Sequence, residues 1–191
     1  MNLSVPAAVA IGAVVVAKFG LPLLFLRVPF AAGWANFVLD SVDGDLLVPL
    51  GLPDALYQTI DKSSDWVTYA MIVVAAYRGG WPIRRLCLAL FLFRSVGQIG
   101  FLVTKEELFL AAFPNFLEPL FLVAVSIHAF QRTVRRRTDW RERGFELLAR
   151  HRRPIGAAIV VYKLQDEYFT HVANVDRSEL IQRLLEGFRG G

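Results

Sequence analysis

Apolar residues along this chain fall in long runs rather than alternating with polar ones. Five of the runs approach the ~20 residues that a helix needs to cross a bilayer. The first extends from Val5 to Leu26, interrupted by Lys18 and Pro22. The second starts at Val28, is apolar to Leu39 and continues into an acidic segment, so it is long enough only if Asp40 and Asp43 lie inside it. Pro49-Leu50-Gly51-Leu52-Pro53 predicts a turn, because proline and glycine break both regular structures. A third helix is expected from Asp54, apolar from Trp66 to Tyr77 and ended by Gly79-Gly80-Trp81-Pro82. A fourth covers Ile83 to Val103 and a fifth Leu108 to Phe130. The pattern predicts an all-α, polytopic integral membrane helix bundle of about five transmembrane helices over residues 1–131.

The pattern changes after Phe130. Residues 132–153 are rich in arginine, opposed only by Asp139, Glu142 and Glu146. Asp139 and Glu142 have capping-box spacing, and Trp140, Leu147 and Leu148 would form one apolar stripe, so a short helix on the membrane surface is expected. Topology already accounts for such a juxtamembrane cluster, which argues against nucleic acid as its partner and for anionic membrane lipids. Residues 154–191 read as a small tail, with a β-branched strand from Ile155 to Leu164 and a short amphipathic helix from Ser178 to Phe188. Arg27, Arg78, Arg84, Arg85 and the Arg132–Arg153 cluster share one side of a five-span arrangement. The positive-inside rule then makes the C-terminal tail cytoplasmic and puts the Asp45–Asp54 turn on the opposite side.

Composition agrees with a membrane protein. Of 191 residues, 55% are hydrophobic and only 20% charged, below the charge a soluble domain of this length carries. The single cysteine, Cys87, excludes an internal disulfide and reads as a small buried hydrophobe. The N-terminal run lacks a basic start and is too long for a signal core, so it is expected to be a retained membrane helix.

Against this apolar background the acids stand out. Asp40 and Asp43 are three residues apart, and Asp61 and Asp65 four apart, so on helices each pair shares one face. A carboxylate in hydrocarbon costs about 2.5–3.5 kcal/mol even on the lenient insertion scale, so such groups face a bundle interior and meet a cation there. Two such faces would converge on a hard, oxygen-seeking cation such as magnesium or manganese (Mg2+ or Mn2+).

Written with its spacings, the segment is Asp40-x2-Asp43-Gly44, sixteen residues, then Asp61-x3-Asp65. It resembles the signature of the CDP-alcohol phosphatidyltransferases, D-x2-D-G-x2-A-R-x8-G-x3-D-x3-D, over about Phe37 to Ala76. The resemblance implies a metal-dependent transferase of phospholipid biosynthesis, moving a phospho-alcohol group from a CDP-activated donor to an acceptor hydroxyl. It further implies that Asp40, Asp43, Asp61 and Asp65 hold two divalent cations and that Asp65 acts as the catalytic base. Leu47, Val48 and Tyr57 stand where the family has alanine, arginine and its second glycine, so the metal part of the motif is retained and the nucleotide part is not. The family's aspartates open toward the cytoplasm, opposite to the side the arginine distribution gives them here.

A second polar set lies in the fourth and fifth runs. Arg94 and Gln98 are four apart, and Asn115 and Glu118 three apart, so a structural Arg94–Glu118 ion pair between neighbouring helices is expected. The alternative is a headgroup wall in which Arg94, with Arg84 and Arg85 at the preceding loop, meets lipid phosphate. His128, His151 and His171 have no partner at metal-ligand spacing. Two further functional classes fit the same residues. One is a non-catalytic membrane subunit or lipid-binding scaffold, acting as a homo-oligomer or in a membrane complex. The other is an ion- or proton-handling protein built on the intramembrane acids.

Overall fold

A computed structural model describes residues 4–106, 108–135 and 140–171. Every regular element among them is helical. Helix α1 (Val5–Gly20) is capped by the Ser4 hydroxyl, which accepts from the Ala7 amide at 3.4 Å. Pro22 has no amide to continue the α-helical pairing, and Leu21–Leu26 tightens into 3-10 turns. Helix α2 (Pro29–Leu47) then runs back, with proline at its first position and Asp40 and Asp43 inside it. Helix α3 (Asp54–Arg78) follows a turn in which Gly51 takes φ 97°, a conformation that side chains resist. Helix α4 (Arg84–Thr104) ends at Lys105 in the left-handed conformation. These boundaries agree with the expected second, third and fourth runs to within a few residues, apart from the further extension of α2.

The fifth run is not one helix. It divides into α5 (Leu108–Ala112) and α6 (Leu117–Arg135). Pro114 lacks the amide that would bridge the break and disfavours helical backbone at Phe113. Asn115 starts the second piece: its side-chain oxygen accepts from the Glu118 amide at 3.2 Å and its amide group donates to Tyr69 Oη at 2.9 Å. Helix α6 also runs through position 131 to Arg135, so its last turn carries the first arginines of the basic segment.

Helix α7 (Trp140–Arg150) folds back on α6. Leu148 is buried and the Phe145 ring lies 5.6 Å from that of Trp81 and 4.3 Å from that of His128. The expected stripe is therefore used in part against the bundle, with Leu147 left exposed. The strand expected at Ile155–Leu164 is instead the middle of α8 (Arg152–His171). Ile159 and Lys163, one helical turn apart, are both buried, which is the spacing of a helix face; packing on one side overrides the β-propensity of Ile159, Val160 and Val161. Residues 178–188 lie outside the described part of the chain.

The main core gathers Phe25, Ala32, Tyr69, Ile72, Ala76, Cys87, Leu117 and Phe121 from five elements. Close approach depends on small residues. A Cβ at Gly97 would lie 2.6 Å from Phe113 Cβ and 2.9 Å from the Phe109 carbonyl oxygen. Gly97→Ala should therefore destabilise the fold by about 1–3 kcal/mol through overpacking of α4 against α5, measured as a lower melting temperature in detergent; an unchanged melting point would show that α5 yields freely.

Two segments among the described residues, Val5–Leu26 and Arg84–Thr104, are long and apolar enough to cross a membrane. Their outward faces are apolar too, with Val9, Val16, Leu92, Val96, Ile99 and Val103 exposed. Apolar surface on this scale marks an interaction face, here suited to lipid. Helices α2, α3 and α6 are set apart by their charges. Asp43 is buried and Asp40, Asp61, Lys62, Asp65 and Glu118 are partly buried, whereas Asp45, Asp54, Arg78 and Arg132 are exposed.

Candidate functional site

Helices α2 and α3 place their acidic faces opposite each other, and α1 brings a cation between them. The Lys18 ammonium donates to Asp40 Oδ1 at 3.2 Å, to Asp61 Oδ1 at 2.7 Å and to Asp43 Oδ2. Lys18 is 4% exposed and Asp43 is fully buried, so this is an internal ion cluster and not a surface bridge. A second lysine continues it: Lys62 Nζ lies 2.7 Å from Asp61 Oδ2 and 3.9 Å from Asp65 Oδ2. The structure thus brings together all four aspartates singled out in the sequence, and adds two cations that the motif does not contain.

Tyr57 closes one side. Its hydroxyl donates to Asp43 Oδ1 at 3.1 Å, so Asp43 is held by both Lys18 and Tyr57. A Cβ at Gly44 would fall 2.9 Å from Tyr57 Oη, so a larger residue there would push the tyrosine hydroxyl aside. Gly44 thus packs directly against the hydroxyl end of the Tyr57 ring.

The donor set can be tested against a metal. Asp40, Asp61 and Asp65 each offer an oxygen, and the three lie within 4.8 Å of one another. That is near the ~4.2 Å across a magnesium octahedron, and oxygen donors are the right kind. The three oxygens are near enough for one hard cation on the Asp65 side of the cluster. The Lys62 ammonium already lies against Asp61 and Asp65 there, so such an ion would have to share the site with it. On the other side the Lys18 ammonium stands among Asp40, Asp43 and Asp61, where a second ion would have to displace it. With every group ionised, four carboxylates outnumber two ammoniums by two charges, which one divalent cation neutralises and two exceed.

The remaining predicted residues lie elsewhere. Arg94 is buried in α4 and donates from one guanidinium nitrogen to the carbonyl oxygens of Leu110 and Phe113, both at 2.8 Å. Asn115 also donates to Glu118 Oε2 at 3.2 Å, so Glu118 belongs to the polar cluster where α6 begins. Arg84 and Arg85 open α4, half-buried and exposed respectively, away from the aspartates. Trp66 Nε1 donates to Ser95 Oγ at 2.9 Å and ties α3 to α4 beside the cluster.

Lys18 is the residue that sequence reasoning treated only as an interruption. Its signal was present: a lone charge in an otherwise uncharged 22-residue run must find a partner, and neighbouring runs offer four acids. No protein-family model, curated protein or solved structure matches this chain.

Proposed function

We propose that this chain is a five-span helical membrane protein with a cytoplasmic C-terminal tail, acting as a non-catalytic membrane subunit in which the four-aspartate arrangement serves as a structural ion cluster. The observation that carries this reading is Lys18, which contacts Asp40, Asp43 and Asp61 at once. A lysine there supplies permanently the positive charge that metal ions supply in the transferases the motif resembles. Tyr57 adds support by filling the space beside Gly44. The five spans follow if α2, α3 and α6 turn their charges inward and their apolar faces to lipid, which the mutual pairing of the acids and lysines permits.

One observation favours a second reading. The Asp40, Asp61 and Asp65 oxygens are close enough to hold one divalent cation. A single-metal phosphatidyltransferase would use that ion to neutralise a diphosphate, with Asp65 placed to accept the acceptor hydroxyl's proton.

Purified protein separates the two. For a structural cluster, manganese titration followed by electron paramagnetic resonance should show no tight site, and no CMP should be released from a CDP-activated lipid. One tightly bound ion, with CMP release that Asp65→Asn abolishes, would establish the transferase instead.

A further inference from the structure

At the other end of the bundle a cavity of about 920 Å³ opens between the α1–α2 connection, the end of α3 and the last turns of α6. Its volume is at the upper end of the range of small-molecule sites. Three guanidiniums line it, Arg27, Arg78 and Arg132, one from each of these elements. None of the three meets a carboxylate among the described residues. Like charges gathered without counterions repel, and a planar guanidinium is the side chain best matched to phosphate oxygens. The first turn of α2, whose amides have no acceptor within their own helix, lines the same space and adds the positive end of a helix dipole.

Apart from His128 and Thr133, the rest of the wall is largely apolar. Phe25 and Val125 form a buried floor, and Phe30 stands exposed at the side. A free inorganic anion would gain nothing from those contacts, whereas an amphiphile would place a chain along them. Position agrees, because Arg27 directly follows the Val5–Leu26 segment and so stands at headgroup level if that segment crosses the membrane.

We infer that this cavity is a binding site for an anionic phospholipid, with the headgroup phosphate held by Arg27, Arg78 and Arg132 and an acyl chain lying against Phe25, Phe30 and Val125. The site is separate from the acidic cluster: Asp65 and Arg78 are thirteen residues apart on α3, about 20 Å along its axis. The inference rests on the membrane reading of Val5–Leu26 and not on what the aspartates do.

The test is lipid retention by the full chain in mild detergent, read by native mass spectrometry with phosphatidylglycerol or phosphatidylcholine added. The wild type should retain phosphatidylglycerol preferentially. The triple variant Arg27→Gln/Arg78→Gln/Arg132→Gln should lose that affinity by roughly 100-fold, given about fivefold for each basic residue near a membrane surface. All three side chains are exposed, so the variant should keep its fold, checked by circular dichroism. Equal retention of the two lipids, or undiminished retention by the triple variant, would overturn the inference. Displacement of the lipid by an equal concentration of inorganic phosphate would assign the arginines to a free anion and overturn it as well. Carbonate extraction of native membranes tests the premise by itself, since release into the soluble fraction would remove the membrane reading whatever the lipid selectivity.

Discussion

Replacing Lys18 by methionine should cost about 3–5 kcal/mol of stability, the largest effect expected of any single substitution in α1. The side chain is nearly isosteric and the site is buried, so little packing is lost. What is lost is, among the described residues, the only ammonium that touches Asp40, Asp43 and Asp61 together. Asp43 suffers most, being fully buried with only the Tyr57 hydroxyl left to it among the described residues. Two rescues identify the cause. Asp43→Asn in the Lys18→Met background should recover part of the loss, because it removes the charge that has become unpaired. Millimolar manganese should recover part of it too, since the vacated position is surrounded by three carboxylates that suit a hard cation. Folded yield and melting temperature in detergent are the readouts. A Lys18→Met protein as stable as the wild type would mean that the acids are satisfied by something other than this lysine.

That outcome bears on how much of the molecule was legible in its sequence. The runs and their breakers placed α2, α3 and α4 well, because a glycine-proline turn or a proline at a helix start acts locally. The fifth run was misjudged because its hydrophobicity continues across Pro114. Whether a proline kinks or divides a helix depends on what satisfies the freed carbonyls, and that partner, Arg94, comes from another helix. The strand expected at Ile155–Leu164 failed for a related reason, since β-branched residues are tolerated in a helix that buries one face. At the site, the spacing of the acids was enough to bring them together in space. Their counterions were not legible from the motif, because Lys18 is 22 residues before Asp40 and only the antiparallel return of α2 along α1 brings the two side chains together. The transferase-like pattern carries information about where carboxylates converge. Whether the guest is a metal or a lysine is decided by a third helix outside the pattern.

Arg94→Met should be nearly as damaging, at about 2–5 kcal/mol. The guanidinium is 4% exposed and donates to the carbonyls of Leu110 and Phe113, which belong to the last turn of α5 and to the break before α6. Carbonyls at a helix end have no amide partner of their own, and each one left buried and unsatisfied costs about 1–3 kcal/mol. Methionine fills the volume but donates nothing. Arg94→Lys should fall between, because a lysine keeps the charge but lacks the guanidinium's geometry for spanning two acceptors. The same pair of variants decides between a structural role for Arg94 and a lipid-phosphate role. The structural role was expected from the sequence as a pairing with Glu118 and is here made through the Leu110 and Phe113 carbonyls. If it fastens the broken helix, melting temperature falls with Met, less with Lys, and lipid retention at the Arg27–Arg78–Arg132 cavity is unchanged in whatever folded protein remains. If it meets a lipid phosphate instead, stability without lipid barely moves while lipid-induced stabilisation is lost. Arg85→Gln is the control, since that side chain is exposed and its removal should stay within about 0.5 kcal/mol.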